Sequence, residues 1–145
     1  MSRFCGAHRL PRARVDPIDD AVTALAIIRL AVHRPPIHET IVLVLDGDRR
    51  GRSVVVVDGT EQPDSVLDVV EHLAGSIAAQ GGDGALVVAS VRPHGCPLDA
   101  DEDRWLEASD LADDAGVELV EWFVLDGNGG SWSPRELLGD PPRWQ

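Results

Sequence analysis

The sequence predicts an α/β domain in which a mixed sheet is flanked by helices on both faces, three layers in all. Three observations lead there. Residues 40–45 (TIVLVL), 53–57 (SVVVV), 85–91 and 117–125 are short, mostly continuous apolar runs rich in β-branched residues, the pattern of strands covered on both faces. Residues 16–33, 63–79 and 101–115 instead repeat apolar positions at three- and four-residue steps, as amphipathic helices do. After the first two strands, helix and strand alternate, which calls for crossover connections packed on a sheet.

Each element has its own start and stop signals. Asp16 suits an N-cap and Pro17 a first helical position, with Asp19 and Asp20 favouring the positive end of the helix dipole. Ile18, Ala21, Val22, Leu25, Ile28 and Val32 form one stripe, and Arg34-Pro35-Pro36 ends it. DGDRRGR, between the first two strands, reads as a hairpin turn. The second helix puts Val66, Val69, Val70, Leu73, Ile77 and Ala78 on one face, leaves His72 off it in solvent, and stops at Gly81-Gly82. In the third, Trp105, Ala108, Leu111, Ala112 and Ala115 share a face, and Asp99 with Glu102 has capping-box spacing. Trp122 and Phe123 are consecutive in the fourth strand and so face opposite sides. Ser133-Pro134 starts a short last helix. The organisation predicted is a basic arm over residues 1–15, a single domain over 16–138 that includes the helix 16–33, and an irregular tail over 139–145.

Composition narrows the function classes. A chain of 145 residues with 43% hydrophobic residues can bury a core without help from disulfides or metals. Cys5 and Cys96 are the two cysteines, which excludes a disulfide framework and suits a reducing, cytoplasmic setting. No apolar run reaches the ~20 residues of a membrane span, and the start of the chain has no apolar leader segment. The net charge of −12 disfavours nucleic acid as a partner, because phosphate backbones are met by basic patches. Residues 1–15 differ, holding Arg3, Arg9, Arg12 and Arg14 with no acid. This arm is expected to pack on its own acidic body or on a neighbouring subunit's rather than on an anionic ligand.

From residue 38 to 138 the order of elements resembles the RadC-type JAB/MPN domain, a branch of the JAMM metalloprotease superfamily. HETIVLVLDGDRRGRSVVVVDGT is similar to that family's opening of glutamate, strand, turn and strand. ASVRPHGCPLDADEDRW is similar to its loop HNHPSGxPxPSxxD, and AGVELVEWFVLDG and GGSWSPREL fall where it has a last strand and a Ser-led final segment. The resemblance implies a three-layer JAB/MPN-like, cytidine-deaminase-like fold. In active members two histidines and an aspartate hold zinc, and an upstream glutamate serves the zinc-bound water as general base. Carried over position by position, the glutamate is Glu39 and the aspartate Asp103, but the histidines become Ser90 and Arg92 and the oxyanion-stabilising serine becomes Ala100. Arginine is permanently protonated and repels a cation. The resemblance therefore implies a member without its zinc site, no cofactor, and an expected role for Arg92 in pairing with Glu39 or Asp103.

Other sites remain open from the residues alone. Cys5, His8, His94 and Cys96 offer a mixed N and S ligand set for a relocated zinc, although their spacing is not a recurring zinc pattern. Cys96 is a candidate nucleophile beside His94. Trp132 and Trp144 lie in glycine- and proline-rich stretches where they can anchor a partner or cover a sheet edge. The functional expectation is a catalytically inactive interaction or scaffold module, self-associating as a homodimer. The alternatives are a hydrolase with a relocated metal or Cys96-based site, and a DNA-associated accessory protein.

Overall fold

The structure, a computed structural model, describes residues 12–95 and 97–144. The chain runs α1 (Ala21–Ala31), β1 (Glu39–Asp46), β2 (Gly51–Asp58), α2 (Ser65–Ala79), β3 (Gly84–Arg92), α3 (Asp101–Asp114), β4 (Val117–Asp126), β5 (Ser131–Trp132) and α4 (Arg135–Leu138). The five strands form one open mixed sheet in the order β2-β1-β3-β4-β5. β1 is antiparallel to both β2 and β3, β3 and β4 run parallel, and β5 returns antiparallel to β4. The parallel pair is joined through α3, as a same-sense neighbour requires a crossover.

Alternation along the strands divides the interior into two cores. Val42, Val44, Leu86, Val88, Leu119, Trp122 and Val124 pack under α2 and α3, with Trp105 at the centre. Ile41, Leu43, Leu45, Val87, Ala89, Phe123 and Leu125 face α1 through Ala24 and Ile28. Trp122 and Phe123 thus go to opposite cores, and His72 is exposed, both as the sequence indicates. No described helix is long and apolar enough to cross a membrane.

Five local expectations are corrected. The first helix begins at Ala21, not near Pro17, because Asp20 is extended and its carboxylate accepts from Thr23 N at 2.7 Å. Pro17 is instead bridged to Arg50 beside the hairpin, and Val22 lies outside the packed face, 68% exposed. In α2, Ala78 is exposed and Ala74 takes the buried place. The Asp99–Glu102 capping box does not form, since the chain enters α3 one residue later, through a left-handed Ala100. β2 is not covered on both faces. It is an edge strand whose Val55 and Val57 pack inward while Val54 and Val56 are exposed.

Candidate functional site

Beyond the C-terminal end of β3 the chain turns through Pro93 to Gly95 and reaches α3 by way of Leu98 to Ala100. The turn is built by backbone demands: Gly95 has φ +71, and a Cβ on Gly127 would collide with the Pro93 carbonyl oxygen, so the two loops can touch only through glycine. Between this loop, the start of β1 and the segment 60–63 lies a cleft of about 250 Å³. His38, Thr40, Ser90, Arg92 and His94 line it. Thr40 is opposite Ser90 in the β1–β3 register, and both lie on the sheet face that carries Val42 and Val88.

The hydroxyls of the cleft are paired. Thr40 Oγ1 donates to Thr60 Oγ1 at 2.9 Å, and the Trp122 indole donates to Ser90 Oγ at 2.9 Å. Arg92 lies over the Trp122 ring, 5.9 Å from its centroid. The His38 and His94 rings are 6.3 Å apart at the cleft mouth.

Arg92 makes a fork-to-fork pair with a residue the sequence did not single out. Its Nη1 and Nη2 donate to Asp101 Oδ2 and Oδ1 at 2.8 and 2.9 Å. The expected partners, Glu39 and Asp103, are not the ones it meets. Asp101 is fully buried, and it also accepts from Leu98 N at 3.0 Å and from Arg104 Nη1 at 3.0 Å. Arg104 extends the network to Asp64 Oδ1 at 2.8 Å, tying α3 to the start of α2. Burial by itself would raise the Asp101 carboxyl. The Arg92 hydrogen bonds, the Leu98 N–H and the Arg92 and Arg104 guanidiniums outweigh it and hold the group below the usual carboxylate range. A depressed folded value contributes stability above about pH 4, the unfolded value, and loses it as pH falls through the lower folded one. The stability difference between wild type and Asp101→Asn should therefore shrink on acidification below about pH 4 in thermal melts. A difference that stays constant down to about pH 2 would exclude this linkage.

Glu39 sits elsewhere. By strand alternation it points to the α1 side of the sheet, away from Ser90 and Arg92. There it is fully buried, accepts from His33 N at 2.9 Å and has His33 Nδ1 at 2.7 Å. Asp103 and Ala100 are exposed at the start of α3. Glu39, Arg92 and Asp103 are thus not brought together, and the residues at these positions do not fit a zinc ion. A permanent cation, already neutralised by Asp101, stands where the resemblance has one ligand; Ser90, at the other, accepts from the Trp122 indole, while Glu39 faces the opposite side of the sheet and Asp103 faces solvent. Of the relocated set, His94 is at the cleft mouth, while Cys5, His8 and the Cys96 thiol lie outside the described residues. Among the described residues no group of three or more His, Cys, Asp and Glu is placed to hold a metal.

The sequence pattern overlooked His38, Thr40 and Asp101. His38 and Thr40 were legible in principle, because they alternate with Glu39 along one strand. Asp101 was not, because its burial depends on the left-handed step at Ala100. No protein-family model, no curated protein and no solved structure matches the chain.

Proposed function

We propose that this chain is a JAB/MPN-like domain of the RadC type that has exchanged its zinc site for an internal salt bridge and acts as a self-associating interaction module in the cytoplasm. The Arg92–Asp101 pair carries the reading. It lies at the end of the strand where the resemblance has its ligand histidines, and it links that strand to α3 by charge-assisted hydrogen bonds, a cross-link of the kind a metal would otherwise supply. Further support comes from the three-layer order of helix α1, mixed sheet and helices α2 and α3, which agrees with the fold the resemblance implies. Glu39, held by His33 on the far face, has no route to a water in the cleft. The acidic body and the satisfied cleft both favour a protein partner over nucleic acid.

Metal analysis of the full chain, purified without chelator and then offered zinc, tests this. Zinc well below one equivalent per chain is expected after desalting. Stoichiometric, retained zinc would overturn the reading and return the chain to the hydrolase class.

A further inference from the structure

The two edges of the sheet are treated differently. β4 is closed by β5 at Val124 and Leu125 and, further along, by the C-terminal segment. Arg143 Nη1 donates to Leu119 O at 2.8 Å, and the Trp144 indole donates to Glu121 Oε1 at 3.0 Å. Among the described residues, β2 has no such cover beyond its start. The segment 12–18 lies at its beginning: Ile18 N donates to Arg49 O at 2.7 Å just before the strand, Arg14 N donates to Gly51 O at 3.0 Å, and Arg12 and Ala13 line a groove with Arg52, Ser53 and Val54. From Arg52 to Asp58 no described residue pairs with the outer side of the strand. That length carries Val54 and Val56, each 41% exposed, and Val54 shares an apolar groove with Ile27 and the 73% exposed Leu30 of α1. An open edge bearing β-branched residues, with no lysine or proline to blunt it, is a template for strand addition.

We propose that the β2 edge is the self-association surface of this chain, and that its occupant is β2 of a second copy, paired antiparallel about a two-fold axis at Val55. This deepens the self-association reading above and rests on it. The charge pattern selects the occupant. β2 is basic near its start, with Arg52 just after Arg50, and ends acidic, with Asp58 followed by Glu61. An antiparallel copy centred on Val55 sets Arg52 opposite Asp58 of the second copy and Val54 opposite its Val56, and the two-fold repeats both pairs. A parallel copy would instead align like charges. Cross-strand valine pairs and opposite charges are the stabilising pairs of a sheet, and an isologous contact uses each twice. Gly59, with φ +75, follows the last strand residue, Asp58.

Sedimentation of the full chain from micromolar to millimolar concentration tests the proposal. The wild type should dimerise. Arg52→Asp, which sets like charges across both pairs, should weaken the dimer about tenfold, and so should Val56→Lys. The exchange Arg52→Asp with Asp58→Arg restores the pairing and should return affinity to within about threefold of wild type. These residues are exposed, so circular dichroism should stay native. A dimer indifferent to Arg52→Asp and Val56→Lys would discard this surface and leave self-association standing. Weakening that the double exchange does not rescue would discard the register. A monomer at every concentration, as an edge covered by the chain's own N-terminal segment would give, would overturn both this surface and the self-association reading.

Discussion

Replacing Arg92 with alanine is expected to destabilise the fold by about 3–5 kcal/mol, the range for removing one partner of a buried ion pair. An exposed pair would be worth under about 1 kcal/mol, so burial decides the magnitude. Here the Arg92 side chain is 11% exposed and Asp101 not at all. Loss of the guanidinium strands a carboxylate that retains one N–H from Leu98 and one guanidinium from Arg104. Replacing both partners, Arg92→Leu with Asp101→Leu, should recover part of the loss, because the buried, under-compensated carboxylate goes with the second substitution while Leu98 N and Arg104 Nη1 lose their acceptor. Urea denaturation of the three variants measures this. A single-variant loss below about 1 kcal/mol would show that the pair behaves as a surface contact and would remove the support it lends to the proposed function.

Glu121→Ala is expected to cost about 3 kcal/mol and to loosen the C-terminal segment. Glu121 is fully buried on β4 and accepts from Arg135 Nε at 2.7 Å and from the Trp144 indole at 3.0 Å. Removing it leaves a buried guanidinium and an indole N–H without their acceptor. Arg143 keeps a hold of its own, stacked 4.4 Å over the Trp105 ring and bonded to Leu119 O. The tail should therefore loosen at its end rather than detach as a whole. Limited trypsinolysis followed by mass spectrometry reads this as faster cleavage after Arg143. An unchanged cleavage rate together with a loss under about 1 kcal/mol would show that the edge is closed by other contacts.

Among the site residues, legibility depended on whether the deciding interaction was local. Strand β1 and the buried face of α2 follow from runs and periods of apolar residues, which act within a few positions of each other. The start of α1 did not, because Asp16-Pro17 and Asp20 are both good helix openings. The bridge from Pro17 to Arg50, a residue far along the chain, selects the second. The face of Glu39 turns on strand parity, where one residue reverses every side chain. That parity separates Glu39 from the cleft and admits His38 and Thr40. The exposure of β2 was hidden because an edge strand and a central strand can share the same valine-rich composition, and strand order is a long-range property.

By itself the sequence determined the α/β class, the strand–helix order, the acidic body, and the presence of an arginine where the resemblance has a ligand. Those properties are written in side-chain type and near-neighbour spacing. Only the tertiary structure decided that Arg92 is answered by Asp101, that Glu39 belongs to the opposite core, and that one sheet edge is strapped by Arg143 and Trp144 while the other, from Arg52 to Asp58, is paired with no described residue. Each of these depends on residues brought together from distant segments or on a single backbone step, and local propensity does not encode either.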